Sequence, residues 1–119
     1  MTDCIFCKIA QGEIPADIVY KEEDFIVFRD IEPKAPVHIL IIPKKHIVSV
    51  NHLEQEDKDL IGRLFLVTKK VAESIGLKEK GYKLVFNVGK GGGQTVDHLH
   101  LHLLGGWGSP EETDIPGMP

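Results

Sequence analysis

Histidine and leucine alternate one for one in residues 97–104, which read DHLHLHLL. Three of the six histidines of this 119-residue chain stand here, at His98, His100 and His102. Strict alternation is the period of a β-strand, whose successive side chains point to opposite faces of the sheet. We therefore expect the three histidines to line a surface or cleft on one face, while the leucines enter an apolar core on the other.

The spacing of the three histidines argues against a single metal cage. Residues two apart on a strand lie about 7 Å apart and the outer pair about 13 Å apart, whereas zinc needs every nitrogen within about 2.1 Å. Two histidines could share one ion, but three would be strained. We therefore expect the three histidines to have different roles. The competing interpretation is a triad that holds a catalytic metal, and sensitivity of turnover to a chelator would distinguish the two.

A glycine-rich segment, GKGGGQT at 89–95, directly precedes the histidines. Backbone N–H groups of such a loop can approach an anion without obstruction, and Gln94 and Thr95 add donors. The GxxxxGK[ST] spacing of NTPase loops is absent, and a flexible hairpin connection is the alternative. Beside three histidines, the loop favours phosphate chemistry with imidazole as nucleophile, acid or donor.

The rest of the chain predicts an α+β fold with a mainly antiparallel sheet. A hairpin is expected from 18–20 and 25–28, a strand from VHILIIP, closed by Pro43, and another from YKLVFNVG. Doubly wound sheets need a crossover helix between successive strands, and this order lacks them. One long helix, ended by Gly76, follows from apolar residues spaced by three and four. These are Leu60, Leu64, Val67, Val71 and Ile75.

Composition limits the class of partner and the compartment. A net charge of −4 argues against a nucleic-acid polymer, but a small anion held by backbone N–H groups stays possible. There is no secretory signal and no run of about 18 apolar residues, so we expect a cytoplasmic protein. There, Cys4 and Cys7 are metal ligands or a redox pair rather than a structural disulfide. We expect one domain, 1–119, with an irregular tail at 107–119.

Beyond the histidines, long stretches of the chain resemble one family. HLHLHLL fits the His-φ-His-φ-His-φ-φ signature, φ being apolar, of the histidine triad (HIT) superfamily of nucleotide hydrolases and transferases. IFCKIAQGEIPADIVY, FRDIEPKAPVHILIIPKKHI and GGQTVDHLHLHLLGG are similar to the corresponding segments of its nucleoside phosphoramidase (Hint) branch. The resemblance extends to about Gly106, and it implies a five-stranded sheet with one long and one short helix.

The resemblance also implies roles for individual residues. His100 would be the nucleophile that attacks the α-phosphorus and forms a nucleotidyl-histidine intermediate. His102 and Thr95 would hold the phosphate oxygens, and His38 would stand behind the triad. Asp30 would bind the ribose hydroxyls. The other implied substrate contacts are Asn87, Gly93 and Gln94 near the phosphate, and Phe6, Ile14, Phe28 and Ile31 in an apolar slot for the base.

Three features depart from the branch. Thr95 stands where serine is more common, Asp97 replaces a residue that is commonly aromatic, and the tail after Gly106 matches nothing in it. In this branch the tail of one subunit helps to shape the partner's leaving-group side. The preferred leaving group is therefore left open.

The resemblance finally implies a metal, an assembly and a substrate class. Cysteine pairs in related proteins bind structural zinc, with ligands that map here onto Cys4, Cys7, His46 and His98. A homodimer with a continuous ten-stranded sheet is expected, which acts on purine nucleoside phosphoramidates or related monophosphate esters of AMP or GMP type. The alternatives are a dinucleotide polyphosphate hydrolase or nucleotidyltransferase that uses the same nucleophile, and a non-catalytic nucleotide-binding regulatory module.

Overall fold

A five-stranded antiparallel sheet forms the centre of the molecule, in the order β1-β2-β3-β5-β4. The structure, a computed structural model, describes residues 3–113. The strands are β1 (Ile18–Lys21), β2 (Phe25–Arg29), β3 (Val37–Pro43), β4 (Tyr82–Val85) and β5 (Leu101–Gly105). The predicted α+β class and the 18–28 hairpin are confirmed. The fourth strand is shorter than YKLVFNVG predicts.

The middle strand, β3, pairs with β2 and β5 on either side, and it is buried over all but its first residue. Its β-branched residues suit a strand covered on both faces, and Ile39, Ile41 and Ile42 are fully buried. Proline has no N–H to donate to a ladder. The strand accordingly ends at Pro43, as predicted.

One face of the sheet is covered by α2 (Lys58–Ser74). The predicted apolar stripe faces the sheet through Leu64, Val67 and Val71, which pack with Leu101 and Leu103 of β5. Gly76 follows with φ of 82°, the left-handed conformation that glycine favours at a helix end. The long helix is therefore confirmed, and it buries the leucine side of the alternating segment.

The other face is covered by a short helix, α1 (Ile5–Ala10). Its Phe6 and Ile9 pack on Ile26 and Phe28 of β2 and on β3. Isolated helices of this length are marginal in water, so contacts with the sheet must hold α1 in place. This second layer lies on the histidine side of the sheet.

The carboxyl-terminal tail is described as far as Thr113. Pro110–Thr113 form a 3-10 turn, so the described part of the tail is not wholly irregular. Residues 114–119 of the predicted tail lie outside the described residues. Within 3–113 no helix is long and apolar enough to cross a membrane.

Candidate functional site

The histidine segment joins the sheet later than the alternation predicts. The strand β5 begins at Leu101, so only His102 of the three histidines belongs to it. Its partner β3 ends at Pro43, and beyond that point the main chain is held by a separate bond from Leu99 N–H to the Ile47 carbonyl, at 2.6 Å. The three histidines still share the face opposite to the leucines, as predicted.

The histidines do not line an open surface, which was one of the two expected settings, a surface or a cleft. His98, His100 and His102 are 0%, 5% and 7% exposed. The cause is α1, which the alternation could not reveal: the ring of Phe6 lies edge-on to His100, with centroids 5.1 Å apart. The site is a buried cluster of imidazoles beneath a short helix.

A main-chain carbonyl fixes the tautomer of His100. Its Nδ1 lies 2.7 Å from the carbonyl oxygen of His98. A carbonyl can only accept a hydrogen bond, so Nδ1 carries the proton and donates it. The other nitrogen, Nε2, is left with a free lone pair, as a nucleophile requires.

A second chain of hydrogen bonds gives His102 the opposite tautomer. The backbone N–H of Lys34 donates to Nδ1 of His38 at 3.0 Å. The proton of His38 is therefore on Nε2, which lies 2.9 Å from Nδ1 of His102 and donates to it. His102 keeps its proton on Nε2, where it can donate to an anionic oxygen.

Asp30, His38 and His102 approach each other closely enough to suggest a metal site. The Oδ2 atom of Asp30 lies 3.4 Å from His38 Nε2. That nitrogen bears a proton, because the Lys34 amide occupies Nδ1, so it offers a metal no lone pair. The arrangement is a hydrogen-bonded chain from the Lys34 N–H through His38 to His102, with the Asp30 carboxylate beside it.

Burial keeps these imidazoles neutral. Loss of hydration lowers the pKa of His38 and of His100 from the ordinary value of 6.5. Burial, followed by the charges of His100 and His38, lowers the pKa of His102 to about 4. A neutral imidazole has the free lone pair that a nucleophile requires.

An apolar cluster lies next to His100. Phe6 and Phe28 meet edge to face with centroids 5.5 Å apart, and Leu40 and the partly buried Ile14 pack in the same cluster. Ile31, predicted to line this slot, is instead 92% exposed, so the isolated chain leaves it outside the cluster. Phe6, Phe28 and Leu40 are buried members of this apolar cluster.

The glycine-rich loop is folded by its own side chains. Gly89 and Gly93 take φ of 70° and 83°, which side chains other than glycine rarely adopt. The Nδ2 group of Asn87 donates to the Gly92 carbonyl at 2.8 Å. Thr95 is exposed and its hydroxyl is free of side-chain hydrogen bonds within the described residues.

Gln94 braces this loop from within. Its Oε1 accepts from the Gly89 N–H at 2.9 Å, and its Nε2 donates to the carbonyls of Val48 and Val96 at 2.7 and 2.9 Å. The amide that was expected to contact the phosphate is thus committed to the protein. Gln94 joins the loop to the segment after β3.

Four further side chains converge where α1 begins. Cys4, Cys7, His46 and His98 place one ligand atom each within 4.8 Å of one another. Nδ1 of His98 lies 3.3 Å from Cys4 Sγ and 3.3 Å from His46 Nδ1, and Cys7 Sγ lies 3.2 Å from His46 Nδ1. We call these four residues the thiol–imidazole cluster.

Several groups that build the site carry no sequence signal. The carbonyls of Pro43 and His98 and the N–H of Lys34 are main-chain groups, and nearly all residue types would provide them. Lys45 is also new: it bonds the nearly buried Asp57 at 2.6 Å and so ties the segment that bears His46 to the start of α2. The sequence signal for this pair is weak: Asp57 is an acidic residue directly before the long helix.

Three alternate histidines, a glycine-rich loop and an antiparallel sheet together define a histidine triad protein. The HIT domain family model matches residues 11–108. The chain is 49% identical over 104 residues to the purine nucleoside phosphoramidase of Escherichia coli K12, and the matched region covers 87% of each of the two proteins. It is 48% identical over 105 residues to the protein HitA of Neisseria gonorrhoeae, which covers 88% of this chain and 97% of HitA.

Solved structures give the same result. A HIT family hydrolase from Legionella pneumophila Philadelphia 1 superposes with a TM-score of 0.87 at 55% identity, over 88% of this chain and 94% of its own. A histidine triad protein from Clostridium difficile gives 0.88 at 42% identity, over 92% and 96%. The chain belongs to the HIT family and is a HIT family hydrolase.

Proposed function

We propose that the chain hydrolyses purine nucleoside 5′-phosphoramidates, or related esters of nucleoside monophosphates, through a nucleotidyl-histidine intermediate on His100. The observation that carries this proposal is the 2.7 Å bond from His100 Nδ1 to the His98 carbonyl. It leaves Nε2 of a buried, neutral imidazole free to attack. The name of the Escherichia coli relative supports the substrate class.

The reaction would proceed in two displacements. Nε2 of His100 attacks the α-phosphorus, an N–P bond to the histidine forms, and the P–N bond to the leaving amine breaks as the amine takes a proton from water. Water then attacks the same phosphorus, which releases the nucleoside monophosphate and the free imidazole. The Nε2–H of His102 would donate to the phosphoryl oxygens as their charge develops.

The remaining substrate contacts follow the shape of the site. The base would stack in the apolar slot of Phe6 and Phe28, and Asp30 would accept hydrogen bonds from the ribose hydroxyls. Asn87, Gly93 and the hydroxyl of Thr95 would lie beside the phosphate. Gln94 would support this loop rather than touch the substrate.

A substrate panel tests the function. The purified protein is offered adenosine and guanosine phosphoramidates and dinucleoside polyphosphates, and kcat/KM is compared. We expect the phosphoramidates to be cleaved far faster. Preference for dinucleotides would replace the proposal with a dinucleotide hydrolase, and binding without turnover would indicate a regulatory module.

We also propose that the thiol–imidazole cluster holds a structural zinc ion. Tetrahedral zinc with Zn–N near 2.05 Å and Zn–S near 2.3 Å requires N···N of about 3.3 Å and N···S of about 3.6 Å. The corresponding separations are 3.3 Å between His46 and His98, and 3.2 to 3.5 Å from the sulfurs to these nitrogens. The residues therefore fit this metal.

The chemistry of the donors agrees with a cation. His98 Nε2 donates to the Pro43 carbonyl at 2.8 Å, so its Nδ1 presents a lone pair to the cluster. Burial and the neighbouring Cys4 raise the pKa of Cys7 to about 11, and a cation between the sulfurs would reverse that shift. Such an ion would supply no reacting group, since the nucleophile is an imidazole.

We further propose a cytoplasmic location, because Cys4 and Cys7 form no disulfide.

We also propose that the chain forms a two-fold homodimer. β4 is an edge strand, and an exposed edge is an aggregation hazard unless it is covered. Apolar side chains lie exposed on β4 and on the neighbouring α2. They are Phe65, Leu66, Tyr82 and Leu84.

A further inference from the structure

His98 belongs to the thiol–imidazole cluster and to the catalytic site at once. Its Nδ1 faces the sulfur of Cys4 at 3.3 Å, and its carbonyl oxygen accepts the proton of His100 at 2.7 Å. Its ring is fully buried, and the second ring nitrogen bonds the Pro43 carbonyl. The position of the His98 peptide group therefore depends on how its ring is held.

The short helix α1 provides a second connection. Cys4 caps this helix by accepting the N–H of Cys7 at 3.3 Å, and Phe6 lies between the two cysteines. The Phe6 ring contacts both His100 and His98, with centroids 5.1 and 6.0 Å away. A six-residue helix is marginally stable alone. Bonds from the sulfurs of Cys4 and Cys7 to a ligand would therefore fix the position of Phe6.

We propose that the thiol–imidazole cluster, when it is ligated by zinc, positions the nucleophile. It holds the His98 carbonyl where it selects the Nδ1–H tautomer of His100, and it seats Phe6 against the nucleophile's ring. Cys4, Cys7 and His46 are then positioning residues, which act through His98 and Phe6. The inference rests on the proposed function for the role of His100.

The physical reason is that the reaction rate is sensitive to small displacements of the reacting groups. Imidazole can carry its proton on either nitrogen, and the partner of the other nitrogen decides which. If the His98 carbonyl turns away, part of the population places the proton on Nε2 and cannot attack. Shifts of about 1 Å in a reacting group can lower rates about 100-fold, and loss of groups that orient metal ligands costs about 10- to 100-fold.

The tautomer of His100 can be read directly by ring ¹⁵N NMR, without substrate. We would compare the wild-type chain with Cys7→Ser and with His46→Ala, which lies outside α1. Zinc content is measured on the same samples. We expect one zinc per chain and a single Nδ1–H tautomer in the wild type, and lost zinc, mixed tautomers and a 10- to 100-fold lower kcat in both variants.

Val71→Ala is the matched control, because Val71 of α2 is buried against the opposite face of the sheet. It should lower thermal stability and keep the wild-type tautomer. Should a ligand variant fail to fold, chelator treatment of the wild type replaces it, since an open cavity of about 920 Å³ lined by Cys4, Cys7 and His46 gives access.

Two results would overturn the inference: a wild-type chain without zinc after metal-replete expression, or zinc loss that leaves His100 with a single Nδ1–H tautomer. Because the tautomer is measured without substrate, the outcome is independent of turnover. A zinc-dependent tautomer in a chain that cleaves no phosphoramidate would reject the proposed function and retain the positioning role.

Discussion

Main-chain groups decide which nitrogen of each active-site histidine carries its proton. The carbonyl of His98 assigns the proton of His100 to Nδ1, and the amide of Lys34, through His38, assigns that of His102 to Nε2. His100 therefore presents a lone pair on Nε2, whereas the neighbouring His102 presents an N–H donor on Nε2. Identical side chains acquire different roles from their neighbours.

Replacement of the nucleophile is the sharpest test at this scale. His100→Ala should lower kcat by at least about 1000-fold, because the covalent route is lost. Nucleoside monophosphate should still bind, since Asp30 and the apolar slot remain. Rapid quench with radiolabelled nucleotide should trap acid-labile label on wild-type protein only.

His102→Ala provides the comparison. It removes a donor to the phosphoryl oxygens but leaves the nucleophile, so we expect a smaller loss, of about 100- to 1000-fold in kcat. Label should still accumulate on this variant in a rapid-quench experiment. If His100→Ala retained near-normal turnover, the histidine-nucleophile mechanism would have to be abandoned.

The pH dependence of turnover follows from burial. Because burial lowers the pKa of His100 below 6.5, the nucleophile stays neutral at mildly acidic pH. The acid limb of kcat/KM should therefore have its midpoint below 6.5. A pH–rate profile from 4 to 8 measures it, and a midpoint at or above 6.5 would contradict the buried environment described here.

The sequence predicts which residue types meet, but not which atoms are used. Alternation places His98, His100 and His102 on one face, and the family resemblance assigns their roles. It does not identify the main-chain groups of Lys34 and His98 that fix the tautomers. Nor does it reveal that Gln94 faces inward, because loop residues lack a period that reports burial.

At the scale of elements, the two short segments around the triad are held by side chains. α1 is capped by Cys4, and the glycine-rich loop is closed by Gln94. Apolar periodicity predicts β3 and α2 because their buried faces are long and regular. It is silent on α1, whose six residues are too few to show a helical period.

Loss of the Gln94 brace should loosen the glycine-rich loop. In Gln94→Ala, the N–H of Gly89 and the carbonyls of Val48 and Val96 lose their partner. We expect about a 10-fold lower kcat/KM, with a clear rise in KM, because an unsupported loop must be ordered by the substrate. Steady-state kinetics measures this split.

The matched control is Asn51→Ala, since Asn51 is exposed and only its backbone N–H bonds, to Ser49. Its kinetic constants should equal those of the wild type. A Gln94→Ala enzyme with unchanged KM would show that the brace does not shape the phosphate site.

For the whole molecule, the buried histidines link folding to pH. The folded chain holds the pKa of His102 at about 4, whereas an unfolded histidine titrates near 6.5. Below pH 6.5 the unfolded state binds more protons, so stability is complete above that pH and falls as pH decreases toward 4. His102 alone would contribute a loss of up to about 3 kcal/mol.

Urea denaturation at pH 7.5, 6 and 5 would measure this loss. His102→Asn removes the titrating group, so its stability should decline less between pH 7.5 and 5 than that of the wild type. Parallel declines would show that other groups dominate the acid sensitivity of the fold.

The last prediction concerns assembly through the edge strand β4, on the side of the sheet that α2 covers. Tyr82 and Leu84 are exposed there, and Phe65 of α2 contacts Phe86 just beyond the strand, with ring centroids 6.3 Å apart. An apolar surface that flanks an unpaired strand edge fits a second copy of the same surface across a two-fold axis. We expect light scattering to report a dimer at micromolar concentration.

Leu84→Lys should shift that equilibrium toward monomer by at least about 10-fold, because a charge would be buried against its symmetry mate. Ile18→Lys is the matched control: Ile18 is similarly exposed, at 40% against 38% for Leu84, but lies on the opposite edge strand, β1. It should leave the dimer intact. A monomeric wild type, or a dimer lost only in Ile18→Lys, would exclude pairing through β4.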